Sequence, residues 1–279
     1  MSTTVFFAVL AAAAMHASWN ALLKVRGDRF AAVLLMTFGM GVVALPLMPF
    51  MAVPQGHTWL WLALSLCLQT GYKYFLTRAY ETGDFAVAYP LARGSAPLLT
   101  TLGSAVLLGE APGPVAIMGI VLLCGGVVMM SLRAKGEAFG GRSVMFALIT
   151  SAFIAGYTLS DGIGARSAMD AVSYVVWLFV LDGVASLVLC LYLRGSHTYL
   201  ILRSEWKVML GGGFLGAIAY GIAIWAMTKA PIAAVAALRE TSILFAMMLS
   251  VFLLGETINR RRIIAALTIV AGVLALRLG

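Results

Sequence analysis

Two apolar stretches of this chain, each long enough to cross a bilayer, carry one arginine apiece and stand 146 residues apart, at Arg93 and Arg239. Leu91-Ala92-Arg93 is followed seventeen residues on by Glu110, in Leu107-Leu108-Gly109-Glu110. Ala237-Leu238-Arg239 is followed after the same seventeen by Glu256, in Leu253-Leu254-Gly255-Glu256. The offset also aligns Tyr74 with Tyr220, and Gly125-Gly126 with Ala271-Gly272. A charge near the centre of a spanning helix costs about 2.5–3.5 kcal/mol even on lenient insertion scales, so each arginine requires a partner or a wet cavity. A duplicated apolar half with one buried cation per copy suits a symmetric transporter.

Composition supports the bilayer as the main solvent. Of 279 residues, 62% are hydrophobic and 11% charged, and the mean hydropathy is +1.00. A water-soluble domain carries about 25% charged residues. The net charge of +8 does not point to nucleic acid, because most basic residues fall in short connectors rather than on one face. Cys67, Cys124 and Cys190 all lie in apolar spans, where packing is the expected role rather than a disulfide or a metal.

At about 20 residues per crossing, the apolar stretches divide into ten spans, near 4–23, 31–51, 59–79, 85–108, 113–132, 143–163, 171–193, 207–228, 232–254 and 259–277. Turn residues mark the breaks at Gly27-Asp28, Pro54-Gln55-Gly56, Gly83-Asp84, Gly109-Glu110 and Ala230-Pro231. The connectors 133–142 and 194–206 are expected as loops. No period-2 pattern suggests a β-barrel. The fold expected is therefore an all-α integral membrane protein, ten transmembrane helices built as two inverted five-helix repeats, 1–138 and 139–279. An odd number of crossings per copy inverts the second in the membrane, which puts the site near the midplane on a pseudo-two-fold axis.

Connectors after odd-numbered spans hold Lys24, Arg26, Arg29, Arg78, Arg133, Lys135, Arg142, Arg194, Arg203, Lys207, Arg260, Arg261 and Arg262, while the opposite side holds Arg166, Lys229 and Arg277. Cytoplasmic loops are the basic ones, so this count places both termini outside the cytoplasm.

The two five-helix halves, the Leu-Gly-Glu turn closing the fourth and ninth spans, and the Gly-rich fifth and tenth spans resemble the drug/metabolite transporter superfamily, EamA type, over the whole chain. The stretch Met15–Lys24 is similar to a subgroup associated with phosphonate-utilisation gene clusters. The resemblance implies a secondary carrier of small metabolites. A multi-pass protein of the cytoplasmic membrane, monomeric or homodimeric, is expected. Many such relatives keep both termini in the cytoplasm, opposite to the charge count.

At 1.5 Å per residue each arginine is roughly 12 Å from its entry end, beyond comfortable snorkelling. Two guanidinium groups meeting from opposite faces suit a carboxylate, phosphonate or phosphate; the plainer reading pairs each with a helix carboxylate or broken-helix carbonyls. Glu240 is either the neutralising partner of Arg239 or a ligand for an ammonium group. Asp182, midway along the seventh span with Ser186 one turn on, reads as a lone carboxylate and leads the proton-coupling candidates, against a neutral, hydrogen-bonded packing role. Asp161 shares a face with Tyr157 and follows it as a candidate. His16, Asn20 and Lys24 form a polar stripe that should face the interior. His16 either titrates near neutral pH or packs, and Trp19 either closes over a substrate or packs. Tyr74 and Tyr220 offer hydroxyls or cation–π faces, and Lys73 reads as a snorkelling residue. Gly212 and Gly216 read as helix packing, Glu110 and Glu256 as structural.

No H-E-x-x-H, G-x-S-x-G or Walker motif occurs, and three histidines are few for a metal site. An enzyme, a cofactor, a metal and an ATP drive are not expected. The expected function is a secondary carrier of a small zwitterion, of amino acid, betaine or aminophosphonate type, with proton coupling. The alternatives are an organic-cation or drug exporter, and then a channel.

Overall fold

The computed structural model describes residues 1–23, 29–82, 85–131, 141–254 and 259–279. The described helices are α1 (Thr3–Leu23), α2 (Arg29–Ala44) with a 3-10 extension (Leu45–Phe50), α3 (His57–Thr82), α4 (Phe85–Leu108), α5 (Pro114–Ser131), α6 (Gly141–Ser167), α7 (Ala171–Arg194), α8 (His197–Met227), α9 (Ile232–Arg239), α10 (Ser242–Leu254) and α11 (Arg260–Leu278). The pair α9 and α10 makes one interrupted span, so the described helices form ten crossings. By length and composition alone, six stretches among the described residues qualify as spans: Phe30–Phe50, Leu91–Leu108, Gly141–Ser167, Ala171–Arg194, His197–Met227 and Ile232–Phe252. The expected breaks at Gly27-Asp28 and Gly83-Asp84, the boundary at 138/139, and Lys24 and Glu256 lie outside the described residues.

Local chemistry sets several helix ends. Asp170 caps α7 by accepting from the Ser173 N–H, and Asn259 caps α11 by accepting from the Arg262 N–H. Gly109, at φ +67°, lets the chain leave α4 in the left-handed conformation that glycine reaches without a steric penalty.

Two expectations need correction. The connector expected at 194–206 is mostly helix, because α8 begins at His197. Past Gly195 it holds neither Gly nor Pro, and its Ile201 and Leu202 pack against the buried cluster of Ala31, Leu34, Leu35 and Cys190. The ninth span, expected as one helix, is interrupted at Glu240-Thr241. There Ile243 N–H donates to Glu240 O at 3.1 Å and Leu244 N–H to Thr241 O at 2.9 Å, three-residue steps that tighten the turn.

The bundle repeats its own packing. Helix α3 lies on α6 as α8 lies on α1, and α4 lies on α6 as α9 and α10 lie on α1. Helices α5 and α11 pair with each other, as do α2 and α7. At the α5–α11 seam, a Cβ added at Gly126 would meet the Ala265 carbonyl oxygen at 2.9 Å, and one added at Gly272 would meet that of Gly119 at 2.7 Å. The two contacts exchange under the 146-residue shift, and five crossings per half make the repeats inverted. Small residues allow this backbone approach where no hydrophobic effect drives helices together.

The exterior is apolar, with Phe7, Phe50, Leu102, Val106, Phe252 and Leu267 all exposed, while Lys73, Asp161, Asp182 and Glu240 are buried inside. Such an inside-out surface belongs to a multi-pass integral membrane protein. Cys124 and Cys190 are buried and Cys67 is exposed.

Candidate functional site

The interruption between α9 and α10 begins at Glu240, and Glu240 and the preceding Arg239, the last residue of α9, turn to different partners. Arg93 of α4 grips Glu240 with both arms: Nε donates to Oε2 at 3.0 Å and a terminal nitrogen to Oε1 at 2.7 Å. Its other terminal nitrogen is 3.2 Å from Nε2 of His16 on α1. The side chains of Arg93 and Glu240 are 11% and 9% exposed, so the pair is nearly dry. Pro97, four residues after Arg93, has no N–H to give the Arg93 carbonyl. Each arginine thus sits where regular helix hydrogen bonding lapses, as in carriers whose sites form on discontinuous helices.

Arg239 makes no such pair. Its guanidinium lies over the Tyr220 ring, 4.8 Å from the centroid. Among the described residues no carboxylate comes within ion-pair reach of it. The repeat supplies the reason. Position 94, which the 146-residue shift aligns with Glu240, is glycine, and a Cβ there would meet Val128 Cγ2 at 2.9 Å. The carboxylate that neutralises Arg93 therefore has no counterpart for Arg239.

Asp161 of α6 is fully buried. It accepts from the Tyr220 hydroxyl at 2.5 Å and the Tyr174 hydroxyl at 3.1 Å, and Ser65 lies close by. Ser65 in turn accepts from the Gln69 amide at 3.2 Å. No described cation lies within ion-pair reach of Asp161.

Asp182, expected as a lone carboxylate, has a partner. Lys73 Nζ donates to Asp182 Oδ1 and Oδ2 at 2.6 and 2.8 Å and to Ser186 Oγ at 2.8 Å. Lys73, expected to snorkel, turns inward instead and is 4% exposed. All three ammonium protons are used, so the pair meets the requirement that buried charges be matched and hydrogen-bonded.

Of the other expected site residues, Trp19 stacks edge-on to His16, centroids 4.8 Å apart, and its buried indole N–H has no acceptor among the described residues. The Asn20 amide donates to the His16 carbonyl of its own helix at 2.8 Å. Tyr74 stands apart from the cluster. It is 43% exposed and lies against Phe75 and Arg78, because it projects about 100° around α3 from the inward-facing Lys73. Its repeat mate Tyr220 is central. Sequence reasoning missed Ser65, Gln69 and Tyr174. The signal available was the spacing Ser65, Gln69, Lys73, a polar stripe of the kind noted at His16 and Asn20.

Glu110 is structural. It pairs with Arg166 at 2.5 Å and accepts from the first N–H of α9, at Ile232. Arg166 donates further to the carbonyls of Met227 and Ala230 at 2.7 and 2.9 Å. These contacts tie the ends of α4, α6 and α8 to the start of α9.

The model of the EamA-like transporter family matches residues 3–132 and 141–278, one copy in each half. A crystal structure of a protein superposes with a TM-score of 0.77 at 21% identity, over 99% of this chain and 96% of its own. At that identity the likeness shows the fold. No curated protein matches.

Proposed function

The chain belongs to the EamA-like transporter family, and from that premise we propose that it carries a small zwitterion of amino acid, betaine or aminophosphonate type across the cytoplasmic membrane by alternating access, driven by protons. The observation that carries this reading is the pair of consecutive residues at the interrupted helix: Arg239, a cation without a counter-ion among the described residues, beside Glu240. An acidic substrate group takes Arg239. An ammonium group competes with Arg93 for Glu240. Each sign of a zwitterion then meets an opposite charge, the acidic group at Arg239 and the ammonium at Glu240, which it shares with Arg93.

For the proton, the structure favours Asp161 over Asp182. Asp182 is committed to Lys73, whereas among the described residues Asp161 is held by hydroxyls and no cation, so gaining a proton strands none of them. An organic cation exported past the contacting rings of Tyr72, Tyr157 and Tyr220 is the second reading. Counterflow in proteoliposomes separates them, using labelled glycine betaine, L-alanine and 2-aminoethylphosphonate against tetraethylammonium. A zwitterion should exchange, and Arg239→Ala should raise its KM by roughly thirtyfold or more, the low end of the about 2–5 kcal/mol lost with a buried charged contact. Exchange of tetraethylammonium alone favours the second reading. Absence of counterflow with any probe, alongside passive flux, makes the protein a pore.

A further inference from the structure

Tyr220 stands between Arg239 and the buried Asp161, both without a counter-ion among the described residues. Its ring lies under the Arg239 guanidinium at 4.8 Å, and its hydroxyl donates to Oδ2 of Asp161. We propose that Tyr220 is the positioning residue that couples substrate to proton, so that an anion arriving at Arg239 and a proton arriving at Asp161 each sense the other through one side chain. The inference rests on the proton-driven reading above.

The sign of the coupling follows from the chemistry. While Asp161 is ionised it only accepts, and the Tyr220 hydroxyl must donate to it. A phenol donating to a carboxylate is electron-rich, which strengthens the hold of its ring on the guanidinium. Once Asp161 takes a proton it becomes a donor itself, the tyrosine hydroxyl is released from donating, and the ring holds Arg239 less firmly. The arginine is then freer for a substrate anion. By linkage, substrate at Arg239 favours the proton at Asp161 by the same factor. Proton and substrate therefore bind together, the requirement for symport.

The surroundings leave this route uncluttered. Asp161 faces Ser65 and Gln69 from α3, Tyr174 from α7 and Tyr220 from α8. Tyr157 stands one turn earlier on its own helix, and α4 meets this stretch of α6 with Gly103 against Leu159. The other charged groups of the region, Lys73 and Asp182, neutralise each other two helical turns along α3 and α7. Arg239, behind the ring, is the cation left to answer the carboxylate.

The test is the pH dependence of Kd for glycine betaine or L-alanine, whichever counterflow selects, on purified protein between about pH 8 and 5.5, where neither changes net charge. The parent should bind at least about fivefold more tightly at the acid end, the lower range of allosteric coupling. Tyr220→Phe keeps the ring and removes the hydroxyl, so the dependence should flatten. Tyr174→Phe removes a donor from the same carboxylate without touching Arg239. It should keep the amplitude and move only the midpoint. Asp161→Asn, with Tyr220 intact, should also be flat and serves if Tyr220→Phe folds poorly. Full amplitude in Tyr220→Phe or in Asp161→Asn overturns the proposal, as does equal flattening by Tyr174→Phe. A parent with a flat Kd overturns the proton-driven reading and the Tyr220 link with it. Failure of any zwitterion to bind instead defeats the substrate assignment.

Discussion

Replacing Asp182 by Asn removes the counter-ion of a lysine that is only 4% exposed. Lys73 has three protons and three acceptors, two of them the carboxylate oxygens. An asparagine leaves at most one oxygen there and turns an amide N–H₂ toward the ammonium. Breaking a buried pair from one side costs about 3–5 kcal/mol, because the remaining charge stays desolvated. Taking roughly 2–4 °C per kcal/mol for a chain of this size, the apparent Tm in detergent should fall by about 6–20 °C. The double substitution Lys73→Met with Asp182→Leu removes both charges and keeps the volume. Such replacements are often neutral or stabilising by about 1–4 kcal/mol, so the double variant should melt at or above the parent. Scanning fluorimetry on the parent, both single variants and the double gives the full cycle. An additive cycle, with the double variant as unstable as the two singles together, refutes the claim that these residues act as one matched pair.

Gly272→Val should lower folded yield and stability by about 1–3 kcal/mol or more, because its Cβ would meet backbone atoms of Gly119 and Leu123 at 2.7 Å; Gly125→Ala, with nothing within 4 Å, is the control, and size-exclusion profiles with melting curves compare them. Asp170→Ala should cost about 0.5–2 kcal/mol as a lost helix cap. The Ser173 backbone N–H holds the Asp170 carboxyl below its ordinary 3.8, so its charge-dependent contribution is complete above that value and disappears as pH falls through the lower folded value. Melting curves from about pH 5 downward should show the parent converging on Asp170→Asn, and a gap that persists at the acid limit contradicts the assignment.

The span pattern and the repeat were legible because both are local or periodic. Hydropathy locates a crossing, and a fixed offset locates its copy. The partners of the charges were not legible, because packing brought them together across the chain. Lys73 and Asp182 are 109 residues apart, and the repeat aligns them with Ala219 and Met36, so no duplicated pair announced them. Arg93 found its carboxylate on Glu240 of the other half rather than on its own helix. The interruption of the ninth span lacked Gly or Pro to mark it; its only sign was four polar residues in a row, Arg239-Glu240-Thr241-Ser242, in the middle of an apolar run.

The unmatched position opposite Glu240 bears on the resting state of the carrier. In a bundle with perfect two-fold symmetry, the state open to one side is the state open to the other viewed upside down, and the two have equal free energy. Gly94 against Glu240 lifts that degeneracy. One half brings an arginine already neutralised across the interface, the other an arginine still seeking an anion. Exchanging the conformations of the halves cannot exchange those roles. Under the proposed alternating access, the empty carrier should prefer one face, each difference of about 1.4 kcal/mol between the faces making that preference tenfold. The missing carboxylate is thus one source of a sidedness that duplicated architecture alone would not supply.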